Sequence, residues 1–86
     1  MQKHILWTAT AKQCLQQLLQ QMATDRPATA QRTVGSIIDR VQALLEFPEL
    51  GPPHGLRPAV RVLAHGRFRI PYLVDGETVV ILGVLR

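Results

Sequence analysis

A chain of 86 residues that is 47% hydrophobic, carries a formal net charge of +4 and holds one cysteine makes a single domain over 1–86 and is too apolar to be disordered. Cys14 alone cannot close an internal disulfide, Met1-Gln2-Lys3-His4 leads into too short an apolar run for a signal peptide, and no stretch approaches the ~20 apolar residues of a membrane helix. The expectation is a soluble cytoplasmic domain, small enough to bury only roughly 60–65% of its unfolded surface and so to gain from a partner.

In chain order, His4-Ile5-Leu6-Trp7 reads as a short β-run, and Thr8 or Thr10 caps a helix by accepting a hydrogen bond from a free backbone N–H. Ala11, Leu15, Leu18, Leu19 and Met22 then recur at helical spacing, opposite Lys12, Gln13, Gln16, Gln17, Gln20 and Gln21. This helix stops near Thr24, because Arg26 precedes a proline, and Pro27 suits the first turn of a second helix. Ala30, Val34, Ile37, Ile38, Val41, Leu44 and Leu45 form the second apolar stripe. Gly35 costs about 1 kcal/mol in mid-helix compared with alanine, and a close helix–helix approach is one reason among others to keep it. Pro48, Gly51, Pro52, Pro53 and Gly55 end the helix and write a loop, leaving an antiparallel helical hairpin.

The rest is β. Residues 60–64 make one run, His65-Gly66-Arg67 a turn, residues 68–74 the next strand, Asp75-Gly76 a hairpin signal and residues 78–85 the last strand. Phe68, Ile70, Tyr72 and Val74 share one face, and Arg67, Arg69, Pro71 and Leu73 the other. The last run is apolar at both parities, which predicts a central strand covered on both faces. Pro71 has no N–H to give a ladder and calls for an edge or a bulge. The predicted fold class is α+β, in the order β-α-α-β-β-β, with a mainly antiparallel sheet and the helical hairpin packed on one face.

Few residues carry chemistry. His4, His54 and His65 fall on a strand, a loop and a turn without ligand spacing, so no metal or cofactor is expected. Cys14 lies on the apolar stripe as a buried small hydrophobe, and Ser36 lies in a helix without an organised base. Tyr72 belongs to the core with its hydroxyl satisfied at the rim. Charge says more. Arg57, Arg61, Arg67, Arg69 and Arg86 crowd the last third of the chain, where the acids are Asp75 and Glu77. Arginine suits bidentate contacts to carboxylate or phosphate, so these five are the candidate binding residues. Arg61 and Arg69 both read as projecting opposite the hydrophobic face, so exchanging both for glutamate is expected to weaken partner binding.

Taken in order, Leu6-Trp7, Ala11 and Leu15, Pro27-Ala28-Thr29-Ala30, then Ile37, Val41 and Leu44 lead to Phe47-Pro48-Glu49-Leu50-Gly51. Arg61 with Leu63, Phe68-Arg69-Ile70 with Tyr72, and Val80-Ile81-Leu82-Gly83-Val84-Leu85 follow. From Ile5 to Arg86 this succession resembles the ParE/RelE superfamily of type II toxin–antitoxin toxins, and its ParE-like branch in particular. The resemblance implies the fold above and a cognate antitoxin whose acidic C-terminal segment wraps the toxin. It also implies a role in plasmid stabilisation or growth control, through one of two activities. ParE-like members poison DNA gyrase, and RelE-like members cleave messenger RNA on the ribosome.

Cleavage needs a base for the ribose 2′-hydroxyl, cations for the phosphate and a proton donor. The nuclease pattern would use Arg61, Arg69 and Arg86, with Arg69 in its Phe/Tyr-Arg motif. Yet its paired lysines align with Val60 and Val62, and its C-terminal tyrosine has no counterpart after Arg86. Arg86 itself stands where many ParE-like proteins have a histidine, and arginine stays protonated. The expectation is a non-enzymatic gyrase inhibitor neutralised by its antitoxin, without membrane contact or direct nucleic-acid binding. The alternatives are a RelE-like nuclease, which would touch RNA, and a degenerate non-toxic member that only binds antitoxin.

Overall fold

One side chain ends the first strand and starts the first helix. Thr8 Oγ1 accepts a hydrogen bond from the Ala11 N–H at 3.1 Å and donates one to the Ile81 carbonyl at 2.7 Å, so the cap also ties the helix to the last strand. The computed structural model describes residues 3–86. It places β1 at His4–Trp7, α1 at Ala9–Ala23, α2 at Pro27–Gln42 with a 3₁₀ turn over Ala43–Leu45, β2 at Arg61–His65, β3 at Phe68–Asp75 and β4 at Thr78–Ile81. The order of elements is the expected one. No helix among the described residues is long and apolar enough to cross a membrane.

Pro27 opens α2 as predicted, and the stripes of both helices face inward: Ala11 and Leu18 of α1, and Ala30, Ile37 and Val41 of α2, are buried. Gly35 does not mark a close approach, since a Cβ there would meet nothing within 4 Å. Nothing in the structure explains that glycine.

The sheet runs β1-β4-β3-β2, with β1 parallel to β4 and the other pairs antiparallel. Leu63, Phe68, Ile70, Tyr72, Val79 and Ile81 meet Ile37, Val41 and Leu44 in one core, each buried side chain contributing roughly 1.5–3 kcal/mol. Both hairpins have two-residue loops that begin with a glycine at positive φ, Gly66 at 59° and Gly76 at 60°. Among the described residues no other type takes a positive φ, which excludes a type I′ turn and leaves the glycine-first type II′ pattern. Asp75 therefore still pairs with Thr78, and the turn itself is Gly76-Glu77.

Three strand expectations need correction. The last run does not continue straight to residue 85. Tyr72 faces Ile81 and Arg69 faces Leu85, so the last strand carries one more residue than its neighbour between those pairs, a β-bulge. Pro71 sits across from it, its carbonyl accepting the Leu82 N–H at 2.9 Å. Second, β4 is central, but only one of its faces is covered by helices. Third, Val60 belongs to the loop: its N–H bonds the Arg57 carbonyl at 2.9 Å and its carbonyl accepts the His54 N–H at 2.7 Å. Residues 52–54 thereby lie along the outer edge of β2, where the Pro52 carbonyl accepts the Val62 N–H at 3.0 Å. A proline-rich segment over a sheet edge blocks unwanted strand pairing.

Candidate partner-binding face

The uncovered side of the sheet is apolar. Leu6, Val80 and Leu73 lie in one row across β1, β4 and β3, and Val62 pairs with Pro71 beside them. Beyond the bulge come Leu82 and Leu85. None of these side chains is buried; Leu85 is 56% exposed and Leu6 52%. Val60, Val62, Pro71, Leu82 and Leu85 line a depression of about 430 Å³ with His54 and Arg57 at its border. A contiguous exposed apolar patch of this kind on a small domain marks a docking site. Arg69 pairs with Ala64 and Leu85 on the same face. Its Nη1 donates to the carbonyls of Gly66 at 3.1 Å and Phe68 at 2.9 Å, which engages one of the three guanidinium nitrogens and fixes the cation at the rim. His54 Nδ1 accepts the N–H groups of Leu56 at 3.1 Å and Arg57 at 3.3 Å, and so shapes the border of the depression.

The five predicted arginines do not form one patch. Arg61 pairs with Tyr72 and lies on the helix side of the sheet, not beside Arg69. Alternation could not have placed it, because Val60, Val62 and Ala64 are apolar at one parity and Leu63 at the other. Its Nη1 donates to the Gly51 carbonyl at 2.9 Å and reaches that of Glu49 at 3.5 Å. Tyr72 completes this anchor, donating its hydroxyl to the Pro48 carbonyl at 2.7 Å and accepting the Gly51 N–H at 2.9 Å. Burial raises the Tyr72 pKa above the ordinary tyrosine value, against the opposing pull of the Gly51 N–H and the Arg61 charge. Arg67 and Arg86 line a third place, a cavity of about 340 Å³ shared with Arg26, Thr29, Thr33, Met22 and Phe68. Arg26 escaped the sequence reading because the proline after it marked it only as a turn residue.

Two further residues differ from expectation. Ser36 does have an imidazole neighbour, with His65 Nε2 at 3.1 Å from its Oγ. The hydroxyl donates to the Thr33 carbonyl at 2.8 Å, so it accepts the imidazole N–H, and the pair tethers β2 to α2 instead of activating a nucleophile. Cys14 is half-buried, beside Leu18, Phe68, Val84 and Arg86.

A family profile described as "ParE toxin of type II toxin-antitoxin system, parDE" matches residues 5–86. The chain belongs to the ParE toxin family. Among solved structures, this ParE-family toxin is similar to the chromosomal ParDE toxin–antitoxin system from P. aeruginosa, with 26% identity over 98% of this chain and 95% of that one and a TM-score of 0.85. It also shares its fold with the RelBE2 toxin–antitoxin complex from Mycobacterium tuberculosis, with a TM-score of 0.75 at 23% identity over 100% of this chain and 99% of that one. No curated protein sequence matches. Within this ParE-family chain the arginines of the nuclease pattern are dispersed. Arg69 edges the open face, Arg61 anchors a loop, and Arg86 lines the cavity with Arg67.

Proposed function

We propose that this toxin works by binding, inhibits DNA gyrase in the bacterial cytoplasm, and is neutralised by a cognate antitoxin that covers the open face of the sheet. Plasmid stabilisation or growth control follows from such a pair. The observation that carries this is the character of the open face. Its middle strands present Leu73, Pro71, Val80 and Leu82 outward with Arg69 as their cation, whereas cutting RNA needs a base, an acid and several cations around one phosphate. An apolar floor bordered by Arg57 and Arg69 suits an acidic amphipathic segment, laid apolar side down with its carboxylates on the guanidinium groups. A segment that orders only on binding gives modest affinity per area but covers a large surface.

The test is a gyrase supercoiling assay with purified toxin. Inhibition relieved by the antitoxin is the expected result. Normal supercoiling at saturating toxin removes gyrase as the target, and new 5′ ends inside translated codons after induction would move the chain to the RNA-cleaving class.

A further inference from the structure

The loop after the helical hairpin is held more firmly than a connection requires. The N–H groups of Glu46 and Phe47 both bond the Ala43 carbonyl, at 3.2 and 2.9 Å, and the Leu50 N–H bonds the Phe47 carbonyl at 3.0 Å. The wholly buried Tyr72 clamps Pro48 and Gly51 through its hydroxyl, while Arg61 holds the Gly51 carbonyl. Gly51 packs so closely that a Cβ would stand 2.8 Å from the Val62 backbone and 2.9 Å from Tyr72 Cε1.

Held this way, the loop turns Phe47 and Leu50 to solvent, 60% and 39% exposed. Glu46 and Glu49 stand exposed beside them, and residues 46–50 line a depression of about 390 Å³. A lone exposed apolar residue is ordinary. An aromatic and a leucine presented together by a clamped loop are different, because binding residues concentrate on loops that a rigid scaffold positions.

We infer that residues 46–50 form a second docking surface, for the target of the toxin, and that it fits a protein groove with an apolar floor flanked by lysine or arginine. This rests on the reading that the toxin acts by binding. Charge selects the partner. The chain has six acidic residues against ten basic ones, and two of the six flank Phe47 and Leu50, whereas Arg57 and Arg69 border the open face. An acidic antitoxin segment is repelled from the loop and drawn to the open face, and a basic-rimmed groove is sorted the other way. The same two carboxylates disfavour nucleic-acid phosphates, so the partner is protein.

The test compares wild type with Phe47→Ser/Leu50→Ser and Glu46→Lys/Glu49→Lys, each induced without antitoxin and each purified for antitoxin binding. Melting temperatures check the fold. Should the serine pair melt early, the lysine pair, which alters only exposed charged side chains, carries the test. Both variants should need about thirty-fold more protein to arrest growth, the effect of one hot-spot side chain. Antitoxin affinity should stay within about twofold, as for surface changes elsewhere. Growth arrest equal to wild type in both variants overturns the inference, as does antitoxin affinity that falls in step with toxicity. Concentration-dependent self-association of wild type that the serine pair abolishes overturns it too, by showing a second copy as the occupant. A wild type that does not arrest growth refutes the underlying toxin reading. A wild type that arrests growth without affecting gyrase refutes gyrase alone, and loss of arrest in the loop variants then still supports the surface.

Discussion

Gly51→Ala tests the clamp on the 46–51 loop most directly. Gly51 is not one of the positive-φ glycines, so what glycine supplies there is space. The added Cβ would lie 2.8 Å from both the carbonyl carbon and oxygen of Val62 and 2.9 Å from Tyr72 Cε1. Two of these neighbours are backbone of a paired strand and the third is a buried ring, so none can swing aside like the end of a flexible side chain. Overpacking of this kind costs about 1–3 kcal/mol. Moving the loop outward to relieve it stretches the 2.9 Å bonds from the Gly51 N–H to Tyr72 and from Arg61 to the Gly51 carbonyl, at about 1 kcal/mol each. The two are alternative ways of absorbing the same clash, so the expected loss is about 1–3 kcal/mol, a sizeable part of the roughly 4–13 kcal/mol a domain of this size possesses. At about 4–8 °C per kcal/mol, the melting temperature should fall by at least about 4 °C. Circular dichroism melts and urea titrations, with an unchanged m-value, measure it. A variant within about 0.5 kcal/mol of wild type, the range of surface substitutions, would mean that the loop is not clamped, and the case for a rigid docking surface would fall with it.

Tyr72→Phe keeps the ring but leaves the Gly51 N–H and the Pro48 carbonyl without their partner, and urea titration should show a loss of about 1–3 kcal/mol. Because burial raises the Tyr72 pKa, the unfolded chain releases that proton first, near about pH 10. Its contribution is therefore whole below that pH and is lost as pH rises through the folded pKa, a slope that phenylalanine should remove from a stability–pH profile. Thr8→Ala removes both the helix cap and the tie to Ile81, so thermal unfolding should report about 1–2 kcal/mol lost, with Thr8→Ser recovering most of it. Arg69→Glu should lower antitoxin affinity by calorimetry at least about tenfold with a smaller fall in melting temperature than Arg61→Glu, which should leave antitoxin affinity alone; the opposite pattern would return Arg61 to the binding face.

Much of the fold was legible because local chemistry and periodicity agreed. Thr8 could cap, Pro27 could start a helix, the glutamines marked the solvent side of α1, and a glycine marked the turn of each hairpin. The site was less legible, for a reason that lies in β2. Residues 60–64 are apolar at both parities around a single arginine, so pattern alone cannot say which face Arg61 takes; the Arg61–Tyr72 register decides it. The role of Gly51 was hidden as well, since a glycine among prolines reads as loop punctuation until Val62 and Tyr72 are seen against it.

The misplaced expectation about the last strand carries the most information. A strand apolar on both faces is written for burial on both sides, and Val79 and Ile81 are buried as that pattern demands while Val80 and Leu82 are not. The bulge sharpens the contrast: Val84 packs against the core, whereas Leu85, paired with Arg69, points to the uncovered side. Chain folding alone therefore satisfies only half of the pattern. The other half makes sense if a second molecule supplies the missing layer, which is what a toxin neutralised by its antitoxin requires. If so, antitoxin binding should carry the negative heat-capacity change of apolar burial, and Val80→Asp should reduce affinity strongly while leaving the Val79 side of the core intact. Binding with no heat-capacity change, or indifferent to Val80→Asp, would show that the open face is not where the antitoxin lies.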